Sequence, residues 1–288
     1  MPSTSESIGR LFPVHEASMR EVIDGLGPWL AVASDPPWSA LSVDLRPPVD
    51  RIDAGNMELA HLDELVRAVP DAAEVVVGIG GGTALDTAKY LAWQTGKKLV
   101  QVPTIASVDA GFTDAVGVRD AGRVKYVGNI EPEVVVIDLD LIAAAPKRLN
   151  RAGIGDILSC KTGLFDWRLA ADSGQGVAWD DRLADLGRTL LNELYVAADD
   201  VGAVSTDGLR FLLSAYRRIG AACAAAGHSR FEEGSEHFLG YVHEYLSGDH
   251  LVHGELISMA VVAMVEPEMA ENTVPATTAT TASRPGSW

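Results

Sequence analysis

Residues 74–89, EVVVGIGGGTALDTAK, decide the fold of this chain. A β-branched apolar run at 75–77 enters a cluster of glycines, and a helix-like segment with Asp86 and Lys89 follows. A buried strand that ends in glycines and opens into a helix presents backbone N–H groups at the positive end of a helix dipole, which suits a pyrophosphate. Thr83 stands where the usual dinucleotide fingerprint has its third glycine, so an ordinary tight turn is the alternative.

The composition indicates a globular chain that does not bind nucleic acid. The chain has 288 residues, of which 47% are hydrophobic, enough for one large or two ordinary domains. A net charge of −17 would repel a duplex phosphate backbone. No apolar run reaches membrane-spanning length, the first ten residues lack the apolar core of a signal peptide, and two cysteines are too few for a disulfide framework. We therefore expect a cytoplasmic protein without membrane insertion.

The two halves of the chain differ in their hydrophobic pattern. The first half alternates strands and helices, which is typical of a parallel sheet. Its predicted strands are 29–33, 74–79, 98–102 and 134–138, and its predicted helices are 59–69 and 83–94. The second half has a helical pattern at 149–171, 181–198, 206–226, 236–246 and 254–265.

These patterns predict an α/β N-terminal domain with a Rossmann-like parallel sheet and an all-α C-terminal domain. We place the α/β domain at 1–147 and the helical domain at 148–271, with the ligand site in the cleft between them. Residues 272–288 are mainly Thr, Ala, Pro and Ser without periodicity, which predicts a disordered tail.

Three polar residues of the second half stand in apolar segments and are candidate metal ligands. Asp156, His237 and His253 lie near the starts of three predicted helices. One carboxylate and two imidazoles can form an open zinc site that leaves a position for water or substrate. The spacing is too long for a local motif, so each histidine can equally be a satisfied interior residue. His250 is a competing ligand, whereas His243 lies off the helical face of His237.

A second polar cluster follows the strand at 98–102. Pro103 ends that strand, and Thr104, Ser107 and Asp109 follow in a loop. The exit of a strand beside a glycine turn is where a doubly wound sheet binds its ligand. A capped turn is the alternative interpretation of each residue taken singly.

Taken together, the chain resembles the iron-containing alcohol dehydrogenase and dehydroquinate synthase-like superfamily. Within it, the chain is most similar to the glycerol dehydrogenase and sn-glycerol-1-phosphate dehydrogenase branches. The matching segments are GIGGGTALDTAKYLA, VPTIASVDAG, RAGIGDILSCKTGLFDWRLA, GSEHFLGY and LVHGE, in family order from about residue 74 to 265.

The resemblance implies a role for each matching residue. It implies NAD or NADP as cofactor and Zn²⁺ as metal, with Fe²⁺ as the second option. The implied cofactor-binding residues are Asp35, Gly80, Gly81, Gly82, Thr83, Asp86, Thr104, Ser107 and Thr113. The implied metal ligands are Asp156, His237 and His253; the implied catalytic residues are Asp109 and Asp156; and Asp109 and Tyr241 are the implied substrate contacts. Asp35 matches the position that meets the adenosine ribose, where an acid disfavours the 2′-phosphate of NADP.

The implied activity is the interconversion of a polyol or polyol phosphate, of glycerol or glycerol-1-phosphate type, with its ketone. The resemblance also leads us to expect a homo-oligomer. Two positions depart from the resemblance: Tyr241 replaces a second histidine of the glycerol-phosphate branch, and Val108 matches neither branch. One alternative is a sugar-phosphate cyclase of the dehydroquinate synthase type, for which Lys161, Arg168 and Arg230 are a sparse set of cations. The other is a truncated, weakly active nucleotide-binding relative, because the family continues with further helices where this chain has its tail.

Overall fold

The structure is a computed structural model that describes residues 8–35, 37–41, 44–249 and 251–273, the last eight of these without side chains. Six strands form one parallel sheet: β1 (Val14–Glu16), β2 (Trp29–Ala33), β3 (Asp50–Ile52), β4 (Val75–Gly80), β5 (Lys98–Pro103) and β8 (Val134–Ile137). Their order is β1-β8-β5-β4-β2-β3. Two further strands, β6 (Ala115–Asp120) and β7 (Arg123–Asn129), form a separate antiparallel hairpin.

The central strands explain why the sheet could be predicted. Every residue of β2 and β4 is buried. A parallel strand that is covered on both faces consists of a continuous apolar run, which is the pattern that both segments carry. The predicted strands at 29–33, 74–79, 98–102 and 134–138 are confirmed within a residue of their ends. The short edge strands β1 and β3 and the more exposed hairpin were not predicted, because they lack such a run.

Helices cover both faces of the sheet. The helices of the first half are α1 (Met19–Asp24), α2 (Pro37–Leu41), α3 (Leu59–Ala68), α4 (Gly82–Thr95) and α5 (Leu139–Ala144). On one face, Leu30 and Val76 pack with Leu62 of α3 and Leu91 of α4. On the other face, the alternate strand residues pack with Met19 and Ile23 of α1. The result is a three-layer arrangement with the carboxyl ends of the strands along one edge.

The second half is helical, as predicted. Its helices are α6 (Lys147–Ala152), α7 (Gly155–Leu158), α8 (Cys160–Asp172), α9 (Asp181–Val196), α10 (Ala198–Ala203), α11 (Thr206–Ala226), α12 (Ser235–Ser247) and α13 (His253–Thr273). Tyr216 of α11 and Trp167 of α8 are fully buried in its core. The fold class, a Rossmann-like parallel-sheet part plus a helical part, is therefore confirmed. Within the described residues, no helix is both long and apolar enough to cross a membrane.

The prediction of one helix over 149–171 is wrong, since the chain breaks there into α6, α7 and α8. The Tyr216 hydroxyl donates a hydrogen bond of 2.7 Å to the carbonyl of Gly153, an oxygen that a continuous helix would pair internally. The amide of Ile157 instead donates to Ile154, three residues back. Helix α13 runs to Thr273 and so extends two residues into the predicted tail; residues 274–288 and His250 lie outside the described residues.

Two glycines bring α7 and α13 into backbone contact. A Cβ atom added to Gly254 would lie 2.0 Å from the carbonyl oxygen of Ala152 and 2.9 Å from that of Ser107. A Cβ atom on Gly155 would lie 2.4 Å from the carbonyl oxygen of Gly254. Only glycine permits this approach, and it joins α13 to both α7 and the loop after β5.

We expect Gly254→Ala to lower the free energy of unfolding by at least about 2 kcal/mol, because the added methyl group overlaps backbone atoms that cannot rotate away. Urea denaturation measures this change. Gly202→Ala in α10 is the matched control, since a Cβ atom there meets nothing within 4 Å, and it should leave stability unchanged or slightly raised. Equal stability of the two variants would contradict the close contact.

Candidate nucleotide and metal site

The glycine turn between β4 and α4 provides a cradle of backbone. Gly80 has a φ of +153°, and Gly81 caps α4 without any side-chain hydrogen bond to the helix. A Cβ atom on Gly81 would lie 2.8 Å from Ile105 Cδ1, and one on Gly82 would lie 3.1 Å from Val108 Cγ1. The first amides of a helix have no acceptor within it, so this turn suits an anionic group. Thr83 is exposed in the first turn of α4.

The loop after β5 lies against the same turn. The Thr104 amide donates a 3.0 Å hydrogen bond to the Gly80 carbonyl, and the Ser107 hydroxyl lies 4.0 Å from the Cβ position of Gly81. Both Thr104 and Ser107 are buried. The structure therefore brings these two predicted cofactor residues to the glycine turn.

Asp35 lies at the same edge of the sheet, two residues beyond Ala33, which pairs with Ile79 of β4. Its carboxylate forms an ion pair of 2.9 Å with Arg51. A hydrogen bond from Ser39, followed by the one from Arg51, lowers the pKa of Asp35. An ionised acid and a cation thus stand together where the ribose of a dinucleotide would lie.

Asp86 and Thr113 are joined through a buried lysine. Lys89 is only 1% exposed, and its Nζ lies 2.9 Å from Asp86 Oδ1 and 3.0 Å from Thr113 Oγ1. Burial raises the pKa of Asp86, and the charge of Lys89 opposes that rise. Asp86 and Thr113, both predicted cofactor residues, therefore contact the same buried lysine. These contacts connect α4 to the segment before β6.

Asp156, His237 and His253 meet, although they come from three helices. Each offers a ligand atom, and these atoms all lie within 4.8 Å of one another. His253 Nε2 lies 3.4 Å from Asp156 Oδ1. We call these three residues the triad.

The triad fits a divalent cation. Among the described residues, Asp156 Oδ1 is buried and has no hydrogen-bond partner, while Oδ2 accepts a 2.9 Å hydrogen bond from the Asp109 amide. A buried carboxylate oxygen without a partner is costly, and a cation bound between it and two imidazoles removes that cost. Two nitrogens and one oxygen are donors that zinc accepts, and three protein ligands leave an open position.

The two aspartates of the site have opposite pKa shifts. Burial acts to raise the pKa of Asp156, but the contact of His253 at 3.4 Å and its charge, together with the charge of His237, bring the pKa below its usual value. Burial and then the charge of Asp156 raise the pKa of Asp109 well above its usual value. Asp156 therefore carries the negative charge that a bound cation requires, whereas Asp109 holds a proton more readily than an ordinary aspartate does.

Tyr241 lies beside the triad. Its ring is stacked on that of His253 at a centroid distance of 6.3 Å, and it lies 5.9 Å from the ring of His237. His243, by contrast, is exposed and does not belong to the triad. The predicted substrate contact is thus near the candidate metal position.

Sequence reasoning missed some polar residues at this site. Glu236 lies next to His237 in the chain and contacts its ring, with Oε1 at 2.7 Å from Nδ1. Tyr126 of β7 donates a 2.9 Å hydrogen bond to Glu233, which connects the hairpin to the segment before α12. Glu236 could have been recognised in the sequence as an acid next to a candidate ligand. No sequence pattern indicates that Tyr126 contacts Glu233.

The fold and the site define a two-domain class, in which a Rossmann-like sheet faces a helical part with a candidate carboxylate–dihistidine centre. A sequence model described as iron-containing alcohol dehydrogenase matches residues 41–146. The chain is similar in sequence to the iron-containing alcohol dehydrogenase superfamily.

Several named proteins are similar to this chain. Glycerol-1-phosphate dehydrogenase [NAD(P)+] of Sulfurisphaera tokodaii is 31% identical over 75% of this chain and 62% of its own length. The enzyme of the same name from Hyperthermus butylicus is 29% identical over 74% and 61%. The chain thus spans less than two thirds of the length of these relatives.

Solved structures show the same fold. A probable glycerol dehydrogenase from Sinorhizobium meliloti superposes with a TM-score of 0.70 at 21% identity, covering 92% of this chain and 81% of that one. Glycerol dehydrogenase from Schizosaccharomyces pombe superposes with a TM-score of 0.66 at 21% identity, over 84% and 65%.

We expect Zn²⁺ to stabilise the protein through the triad. At a hundredfold excess of free ion over its Kd, binding adds about 2.7 kcal/mol to the free energy of unfolding, so the melting temperature should rise. His253→Ala should abolish this rise, because it removes one of three ligands. The exposed His243→Ala is the matched control and should keep the rise in full; an undiminished zinc shift in His253→Ala would contradict the site.

Proposed function

We propose that this protein is a metal-dependent, NAD(P)-linked oxidoreductase that interconverts a polyol or polyol phosphate and its ketone. The observation that carries the proposal is the loop 105–109, which touches both candidate sites. Ser107 lies beside Gly81, and the Asp109 amide donates to Asp156. A nucleotide on the glycine turn and a cation at the triad would therefore share one cleft, as a reaction between nicotinamide and metal-held substrate requires.

The residues of the triad hold the metal in this proposal. When bound, a divalent ion supplies Lewis acidity that lowers the pKa of a substrate hydroxyl, and the nicotinamide accepts or gives the hydride. Asp109, with its raised pKa, is the residue that can hold a proton beside the substrate. Tyr241 offers a phenolic hydroxyl for hydrogen bonding to a neighbouring substrate hydroxyl.

The glycine turn, Thr104 and Ser107 bind the cofactor in this proposal. Asp35 is the residue for the adenosine ribose, and its carboxylate disfavours a 2′-phosphate, although its partner Arg51 would attract one. Thr83 and the joined pair Asp86 and Thr113 complete the proposed set from α4 and the segment before β6.

Local charge bears on the choice between polyol and polyol phosphate. Lys89 is a cation close enough to Asp109, and Arg119 a cation close enough to Tyr241, to act on the pKa of that group. Lys89 is paired with Asp86 at 2.9 Å, and Arg119 with Glu244 at 3.0 Å. A phosphate would compete with these carboxylates, so the charge distribution favours an unphosphorylated ketone, whereas the named relatives are glycerol-1-phosphate dehydrogenases.

The proposal also covers the organisation of the molecule. We assign the α/β domain to 1–147 and the helical domain to 148–271, in a cytoplasmic enzyme. Self-association is supported by apolar side chains of α12 and α13 that are largely exposed, namely Phe238 (70%), Met259 (69%) and Val262 (75%).

Turnover of NADH with dihydroxyacetone and with its phosphate tests the activity. The zinc-loaded protein should consume NADH with at least one of the two ketones, and chelation should stop it. A sugar-phosphate cyclase would regenerate its cofactor and show no net NADH loss. Binding of NADH without turnover of either ketone would favour the weakly active nucleotide-binding relative and contradict the dehydrogenase.

We expect Gly81→Val to weaken NADH binding at least about tenfold, because the branched side chain fills the backbone cradle against Ile105. Fluorescence titration with NADH measures the loss. Gly202→Ala is again the control with unchanged binding, and a retained zinc shift reports that the variant is folded. Wild-type affinity in Gly81→Val would exclude the glycine turn as the nucleotide site.

A further inference from the structure

We propose that Glu236 is a positioning residue that fixes the ring of His237 for metal binding. The inference rests on the proposed function, since it concerns one ligand of the proposed metal site. Glu236 is fully buried, and its Oε1 lies 2.7 Å from His237 Nδ1. The carboxylate therefore directly contacts the ring of a candidate ligand.

The contact selects one form of the imidazole. A carboxylate is an acceptor only, so Nδ1 must carry the proton that it donates to Glu236. Nε2 then keeps its lone pair and is the nitrogen available to a cation. Ligating histidines commonly donate their second ring N–H to a carboxylate in this way, which fixes the ring orientation and raises the basicity of the ligand.

Glu236 is itself held from two further directions. Its Oε1 also accepts a 2.7 Å hydrogen bond from the Gly234 amide, and its Oε2 accepts one from the buried Thr162 hydroxyl of α8. The carboxylate thus cannot rotate without losing these bonds.

Packing alone does not explain a charged group here. Burying a carboxylate costs free energy that an apolar side chain of similar size would not cost. Besides accepting hydrogen bonds from the Gly234 amide and the Thr162 hydroxyl, this carboxylate accepts the Nδ1 proton of His237. Removing that acceptor should change metal binding more than it changes the fold.

The test measures zinc affinity by competition with a chelator, and the thermal stability of the metal-free protein, in three variants. Glu236→Leu removes the acceptor and should weaken zinc binding by about ten- to a hundredfold. Glu236→Gln keeps an acceptor oxygen without its charge and should weaken binding by about three- to tenfold. Thr162→Val is the matched control: it removes the hydrogen bond to Oε2 but leaves Oε1 bound to the Gly234 amide and in contact with His237, so the zinc affinity should stay within about threefold of wild type.

A second readout is the visible absorption spectrum of the Co²⁺-substituted proteins, which reports the geometry of the ligands. We expect an altered spectrum for Glu236→Leu and the wild-type spectrum for Thr162→Val. Wild-type zinc affinity and spectrum in a folded Glu236→Leu would overturn the inference, and so would the same result in Glu236→Gln if the leucine variant does not fold. Failure of the wild-type protein to bind zinc would instead overturn the proposed metal site together with this inference.

Discussion

The arrangement of the site depends on one backbone contact, the approach of Gly155 to Gly254. Asp156 follows one of these glycines and His253 precedes the other, so the contact places both candidate ligands side by side. Gly254 also lies close to the carbonyl of Ser107, in the loop that lies on the glycine turn. The absence of a side chain at Gly254 is therefore required both where the candidate metal ligands meet and where the loop lies on the glycine turn.

Around this contact, the site concentrates negative charge in a buried space. The charge of Asp156 adds to burial in raising the pKa of Asp109, and Glu232, itself buried, has its pKa raised by burial and by Asp109. Such an arrangement is unfavourable in the absence of positive charge. A divalent cation at the triad, bound by His237 and His253 as neutral imidazoles, would compensate this charge. A cation there would also give a partner to Asp156 Oδ1, which has no hydrogen bond from the described residues and lies near the two imidazoles.

The hairpin β6–β7 adds a connection between the two parts of the fold that the sequence did not indicate. Arg119 pairs with Glu244, and Arg123 lies over the ring of Tyr245 at 5.3 Å. Both contacts join the hairpin to α12, the helix that carries His237 and Tyr241. The orientation of the sheet relative to the candidate ligands is thus held from the hairpin side as well as from the glycine contact.

The sequence by itself determined the parallel sheet, the glycine turn, the helical second half and the identities of the candidate ligands. These features are local. A buried strand must be apolar throughout, and a turn that lets a ligand approach its backbone must lack Cβ atoms. Both patterns can therefore be recognised in consecutive residues such as 75–82. Only the tertiary structure decided that the helix predicted over 149–171 is broken, because the reason is a hydroxyl from Tyr216 far along the chain. It also decided that Asp156, His237 and His253 meet and that Glu236 holds a ligand ring. Those relations depend on how separate helices pack, and packing distances between remote residues leave no periodic signal in a single sequence.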